Sequence, residues 1–246
     1  MHPPQGAWRH GSPVSRARGL ESVLCAVDPP HIVTPRSLFQ NRYTPITDSA
    51  TLGSFELLVR RYTNGSASQH LFGLSIGDTV SFKHIKPNIK AQYPFEGAQN
   101  ITLLAAGTGI TPMYQALLKL MGTPGDTRPV TLLYGSKSVA DILLLDELEA
   151  MAKAHPERLT VVHVVGTAPT DPPPAGWDKV AQAVGGWIDE AKIKQHAAPP
   201  AQDSLLFVCG LPPMYAALCG PRNEPALAEG SVLQKLGYSD AMVAKM

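Results

Sequence analysis

Ile101-Thr102-Leu103-Leu104-Ala105-Ala106 is an unbroken run of apolar and β-branched positions, and Gly107-Thr108-Gly109-Ile110-Thr111-Pro112-Met113 follows at once. A run without polar alternation predicts a strand buried on both faces. Gly107 and Gly109 predict a tight turn, because a residue without Cβ accepts positive φ and lets a ligand approach the backbone. Thr111 is expected to cap the following helix, with Pro112 at its first position. Short buried strands are also read at residues 130–134, 159–165 and 204–209. Between them Ser138-Val139-Ala140-Asp141 reads as a capping box, after which Leu144, Leu145, Leu148 and Met151 fall on one helical face. Pro212-Pro213 marks another helix start. This alternation predicts a parallel sheet covered by helices on both faces.

The first half has a different rhythm. Residues 55–62 are rich in strand formers and end at Asn64-Gly65. Residues 78–83 alternate in part and follow a turn at Gly77-Asp78. A small antiparallel sheet or barrel is expected there. Upstream, Pro29-Pro30 and Pro35 interrupt the chain, and only residues 22–27 have clear strand character. Arg9, Arg16 and Arg18 precede the first acid, Glu21, which gives a faint likeness to a transit peptide; the composition reads better as a disordered or divergent tail. The expected divisions are residues 1–36, 37–98 and 99–246. Residues 167–176 read as a proline-rich loop.

Composition narrows the function. The 246 residues carry a formal charge of +1, which gives no electrostatic case for nucleic acid. Cys25, Cys209 and Cys219 are too few and too scattered for a disulfide framework or a zinc site, so a reducing compartment and no metal are expected. No apolar run approaches the roughly 18 residues that span a bilayer.

Four short segments carry the chemistry. Arg42-Tyr43-Thr44-Pro45-Ile46-Thr47 offers a ring that can lie on a flat π system, although alone it reads equally as a strand end with a turn proline. Gly65-Ser66-Ala67-Ser68 offers N–H groups and hydroxyls for an anion, and alone reads as a hairpin loop. The turn at Gly107 is a phosphate or nicotinamide site in the making. Cys209-Gly210-Leu211-Pro212-Pro213-Met214 places a thiol at a strand end, where a lone cysteine is usually inert.

Taken in order, these segments resemble the NADH-cytochrome b5 reductase family within the ferredoxin-NADP reductase-like flavoenzymes. Asp141-Ile142-Leu143-Leu144 and Leu236-Gly237-Tyr238 agree with it. The resemblance covers about residues 41–246 and implies a β + α/β fold: an incomplete antiparallel FAD-binding barrel, apparently shortened at its N-terminus, then a parallel-sheet NAD-binding α/β domain. It implies that Tyr43 lies on the flavin, that Thr44 sits beside flavin N5, and that Arg42, Leu58, Arg60, Gly65, Ser66, Ala67 and Ser68 hold FAD. Gly107, Thr108 and Gly109 would approach the nicotinamide nucleotide, with Thr111 and Pro112 on the same turn and Thr111 reaching FAD. Tyr134 and Ser136 would hold the adenine-side ribose. Cys209, Gly210, Pro212 and Met214 would border the nicotinamide, with Cys209 positioning its ring without acting as a nucleophile.

Three positions depart from the family pattern. Asn41 stands where relatives carry arginine, Ser66 where many carry lysine, and Met246 where many end in an aromatic residue. After the third strand, Val165-Gly166-Thr167 has neither the acid that disfavours a 2′-phosphate nor an arginine, so NADH is expected by resemblance alone and NADPH is left open. The implied reaction is hydride transfer from NADH to FAD in a crevice between the halves, then single-electron release to cytochrome b5 or a similar acceptor. Another flavin or quinone reductase, or a catalytically silent nucleotide-binding relative, are the alternatives. A monomer is expected, intracellular, in the cytoplasm or at a mitochondrial or endoplasmic-reticulum surface, with no membrane attachment evident.

Overall fold

The computed structural model describes residues 42–81, 91–166 and 180–246, together with the backbone of strands at 7–11 and 20–28. The chain divides into two compact units, Met1–Ile89 and Lys90–Met246.

The first unit is built on a four-stranded antiparallel sheet. Its strands are β1 (Ala7–Gly11), β2 (Leu20–Asp28), β3 (Ser54–Arg60) and β4 (Thr79–Ser81), in the order β3-β2-β1-β4. β1 and β2 fall within residues 1–36, where a disordered or divergent segment is expected from sequence. β2 pairs along β3 from Leu20 opposite Arg60 to Ala26 opposite Ser54, and β1 joins β2 to β4. Sequence pattern missed β1 because Ala-Trp-Arg-His-Gly shows no alternation, and its place is set by partners distant in the chain. Alternation along β3 turns Leu57 and Val59 into a small core with Leu71, on which Tyr43, Phe55, Phe72, Leu74 and Val80 pack. Glu56, Leu58 and Arg60 take the opposite face of the pleat.

The helix α1 (Ser66–Phe72) supplies Leu71 to that core. Gly65-Ser66-Ala67-Ser68 is therefore a helix start and not the hairpin loop it suggests when read alone. Gly77, at φ +101, makes the expected turn before β4, and Asp78 Oδ2 accepts from Ser75 N at 2.7 Å.

The second unit contains a six-stranded, wholly parallel sheet. In chain order its elements are β5 (Asn100–Ala106), α2 (Ile110–Gly122), β6 (Val130–Ser136), α3 (Leu145–Ala154), β7 (Leu159–Val165), β8 (Ala183–Gly185), α4 (Glu190–His196), β9 (Ser204–Cys209), α5 (Pro212–Leu218), α6 (Val232–Lys235) and β10 (Val243–Lys245). The sheet order is β10-β9-β5-β6-β7-β8. From β5 the chain steps outward through β6, β7 and β8, then returns to the other side of β5 as β9. The strand order thus reverses between β5 and β9, and open α/β sheets bind ligands at the carboxyl ends of strands at such a point.

Leu104, Leu133, Val162, Leu206 and Val208 line one face of the sheet beneath Ile193 of α4, Tyr215 and Leu218 of α5, and Leu233 of α6. The other face carries His163, wholly buried, with Nε2 3.1 Å from Glu149 Oε1 of α3. Desolvation lowers the His163 pKa, against the weaker pull of the Glu149 carboxylate, so the ring is neutral.

The unit begins earlier than the expected boundary at residue 98, because residues 93–98 pack on it. The Phe95 ring lies 5.2 Å from that of Phe207, and Arg128 Nη1 donates to the carbonyls of Pro94 (2.7 Å) and Ala98 (3.2 Å). One helix start also differs from expectation. Ser138 and Asp141 frame a single 3-10 turn (Val139–Asp141), with Ser138 Oγ donating to Asp141 Oδ2 at 2.6 Å; α3 begins only after Leu144, which is left-handed at φ 56. Residues 167–176 lie outside the described residues. No helix among the described residues is long and apolar enough to cross a membrane.

Candidate active site

In the second unit the site forms where the turns after β5 and β9 meet. Ala105 pairs with Cys209 in register, so Gly107 to Gly109 and Cys209-Gly210 leave the sheet side by side. The packing there has no room for side chains. A Cβ on Gly109 would lie 2.2 Å from the Cys209 carbonyl oxygen, and one on Gly210 would lie 2.5 Å from Met214 Sδ and 3.1 Å from Ala106 Cβ. Gly107 is different. Its φ is +55, and a Cβ there would meet nothing within 4 Å. Its backbone faces open space, which is what a nucleotide approaching a turn requires.

Thr111 does not cap α2. A 3-10 turn over Gly107–Gly109 comes first and Ile110 opens the helix, which puts Thr111 second and Pro112 third. Pro112 is tolerated there because the first-turn N–H groups have no partner in the helix. Thr111 is buried and its Oγ1 donates to the Thr108 carbonyl at 3.2 Å, so its hydroxyl faces the turn.

Tyr134 is 0% exposed, which corrects its expected place against a ribose. Its hydroxyl donates to the Gly107 carbonyl at 3.0 Å and accepts from Leu143 N at 3.3 Å. Ser136 stands at the end of β6, on the expected edge. Its Oγ is buried without a hydrogen-bond partner.

Cys209 is a free thiol, half-buried. Burial pushes its pKa up, opposed by the Tyr215 hydroxyl and by the positive charge of Arg222. It is therefore held as a thiol near neutral pH, a state suited to packing and not to nucleophilic attack. Tyr215 was not foreseen. It lies beneath Cys209 with its hydroxyl 2.6 Å from the Met246 carbonyl and 3.2 Å from that of Val208, and desolvation raises its own pKa far above the usual phenol range. Met246 N in turn donates to the Val208 carbonyl at 2.9 Å, so the last residue extends the β9–β10 pairing up to Cys209. Nothing in the local pattern distinguishes Tyr215 from a core aromatic. Trp187 was also missed: it follows β8 on the same carboxyl edge and is 83% exposed.

In the first unit, residues 42–47 run beside β3, where Pro45 bridges Leu57 and Ile46 N donates to the Glu56 carbonyl at 2.8 Å. Arg42 is exposed, while Tyr43 and Thr44 are half-buried and Tyr43 packs against the small core. Leu58 and Arg60 share the other face of β3, Leu58 half-buried and Arg60 exposed at the strand end. Ser68 is buried. Its Oγ donates to the Gly65 carbonyl at 2.9 Å and accepts from Tyr62 N at 3.1 Å, so the hydroxyl is consumed in shaping the loop. A Cβ on Gly65 would lie 2.6 Å from that Oγ, so only glycine fits. Ser66 and Ala67 stand in the first turn of α1, where N–H groups have no intrahelical acceptor.

Known proteins resemble both units. The profile of the oxidoreductase FAD-binding domain matches residues 31–93, and that of the oxidoreductase NAD-binding domain matches residues 103–220. The chain is 38% identical over 218 residues to NADH-cytochrome b5 reductase 2 of Yarrowia lipolytica, covering 87% of this chain and 71% of that protein. It is 36% identical over 231 residues to the protein of the same name from Kluyveromyces lactis, covering 92% and 73%. Among solved structures, the cytochrome b5 reductase domain of Ulva prolifera nitrate reductase superposes with a TM-score of 0.78 at 25% identity, covering 98% of this chain and 97% of that one.

Proposed function

Since this chain belongs to the NADH-cytochrome b5 reductase family and is a flavin-dependent NADH oxidoreductase, we propose that its electrons go to cytochrome b5 or a similar one-electron acceptor. When bound, FAD takes hydride from NADH and passes electrons on singly; that redox chemistry belongs to the cofactors. The chain's own residues bind, orient and exclude water.

On the nucleotide side, Gly107, Thr108 and Gly109 form the turn that receives the nicotinamide nucleotide, and Ser136 stands at the end of β6 beside it. Gly210, Pro212 and Met214 keep the facing turn close. Cys209 packs against the ring as a neutral thiol and takes no proton. On the flavin side, Tyr43 and Thr44 meet the ring system, Leu58 and Arg60 offer an apolar surface and a cation from one face of β3, and the first turn of α1 at Ser66 and Ala67 meets the pyrophosphate. Gly65 and Ser68 shape that turn. Arg42, exposed beside β3, would offer a cation for phosphate charge. The observation that carries this reading is the meeting of the two glycine turns at the β5–β9 reversal, with Gly107 open and Gly109 closed against Cys209.

The test is a visible absorption spectrum of the purified chain, titrated with NADH under argon. A flavin spectrum that bleaches with one equivalent of NADH is expected, followed by turnover with cytochrome b5 and with ferricyanide. No flavin uptake on reconstitution would overturn the reading. Turnover with ferricyanide alone would move the acceptor to a small molecule.

A further inference from the structure

Within the turn after β5, the Gly107 carbonyl receives the Ile110 N–H, which it shares with the Thr108 carbonyl. Gly107 has no Cβ, so positive and negative φ are nearly equal in energy and the Gly107–Thr108 peptide can rotate. The peptide is trans, so its C=O and N–H point in opposite directions. Whichever group faces the fold, the other faces the nucleotide.

A second donor, on a buried side chain, comes 27 residues later in sequence. The Tyr134 hydroxyl donates to the Gly107 carbonyl at 3.0 Å from a position with no solvent exposure. Leu143 N donates to the same phenol oxygen at 3.3 Å, which directs the phenol proton toward Gly107. Ile110 N donates to that carbonyl as well. Gly107 O is thus held toward Tyr134 with both lone pairs engaged, and the trans peptide puts Thr108 N–H on the side opposite to it. A carbonyl facing out would set partial negative charge against an anionic dinucleotide, whereas an N–H facing out attracts it.

We propose that Tyr134 is a positioning residue for the nicotinamide nucleotide: by fastening the Gly107 carbonyl inside the fold it orients the Gly107–Thr108 peptide for binding. The phenol touches no ligand and acts only through the turn. It also ties the turn after β5 to the segment after β6, so both sides of the nucleotide edge hang on one hydroxyl. The inference rests on the nucleotide reading of this turn given above.

Tyr134→Phe keeps the ring and removes only the hydroxyl. In the flavin-loaded full chain, NAD+ binding measured by calorimetry is expected to weaken about tenfold, the loss of one oriented hydrogen bond. KM for NADH should rise in parallel, with kcat changing less than about twofold and the flavin spectrum unchanged, because the lost interaction is one of binding. An NAD+ affinity equal to the parent's, even with a lower Tm, would make Tyr134 a structural residue and overturn the proposal. Should Tyr134→Phe not fold, 3-fluorotyrosine at position 134 preserves the phenol. Its fluorine resonance is expected to shift on adding NAD+, though the ring is out of the ligand's reach, and an unmoved resonance in protein that binds NAD+ overturns the proposal. A parent protein that retains flavin but binds no NAD+ would instead remove the nucleotide reading on which it stands.

Discussion

The two units bury their strands in opposite ways. In the second, β5 carries five consecutive buried residues, Ile101 to Ala105, and helices close over the parallel sheet. In the first, β3 buries only Leu57 and Val59 and leaves Leu58 and Arg60 on a separate face. Double burial fixes a strand from both sides and lets its carboxyl end be shaped to fractions of an ångström, as at Gly109. Single burial spends one face on a small core and leaves Glu56 and Leu58 partly exposed and Arg60 exposed on the other. One unit is shaped at its backbone turns, the other presents a strand face.

The sharpest way to break this contrast is Gly109→Val. With the Cys209 carbonyl 2.2 Å from the new Cβ, neither turn can yield without shifting its strand. A destabilisation of about 4 kcal/mol or more, or loss of the folded second unit, is expected by calorimetry. Near-parental stability with normal NAD+ binding would show the two turns to be separable.

Core truncation ranks the units directly. Leu104→Ala opens a wholly buried site ringed by the large cluster, and about 4 kcal/mol is expected; Leu57→Ala lies in a core small enough to collapse, and about 2 kcal/mol is expected. Denaturant titration of both variants gives the order. A reversal would mean that the first unit packs more rigidly than its small core indicates.

The base of the second unit should also respond to acid. Hydrogen bonds from the Arg128 side chain hold the Asp126 carboxyl down at about 2, against an ordinary value of 3.8, with further help from the Arg128 backbone N–H and from Tyr93. A depressed carboxylate stabilises the fold fully above its unfolded pKa and ceases to do so as pH falls through the folded one. About 2 kcal/mol should therefore be lost between roughly pH 4 and pH 2, and Asp126→Asn should flatten that part of the curve. An unchanged acid limb in the variant would remove Asp126 from the account.

Smaller effects complete the contrast. Peptide-resolved alkylation by iodoacetamide should find Cys209 slow at pH 8, accelerating only above the ordinary thiol range, because burial raises its pKa. Rapid labelling at pH 7 would make it a thiolate and reopen a nucleophilic role. Least of all in stability is Arg60→Ala. An exposed strand-end residue should change stability by less than about 0.5 kcal/mol, yet FAD should dissociate more readily, as fluorescence of released flavin would report. Unaltered retention would leave the outer face of β3 without a ligand.

The parallel half was largely written in its own residues. Unbroken apolar runs predicted β5, β7 and β9 almost to the residue, because a strand covered on both faces must be apolar throughout, and the glycine turns carried the ligand chemistry with them. Three helix-start signals were visible, yet only Pro212-Pro213 stood where expected. Ser138 precedes a 3-10 turn with its hydroxyl on the Asp141 carboxylate, and Thr111 fell inside a helix with its hydroxyl on the Thr108 carbonyl, since side-chain oxygens bond whichever polar group packing brings near.

What no local pattern contained was long-range pairing. β1 became a strand through register with β2 and β4, and Tyr134, expected at a ribose, became the inward anchor of Gly107. Tyr215 came to lie beneath Cys209 beside the last residue of the chain. A sequence fixes which groups can bond and which surfaces must be hidden. Only the closed fold decides which distant groups lie within 3 Å, because hydrogen bonds and van der Waals contacts act over that range and have no knowledge of chain position.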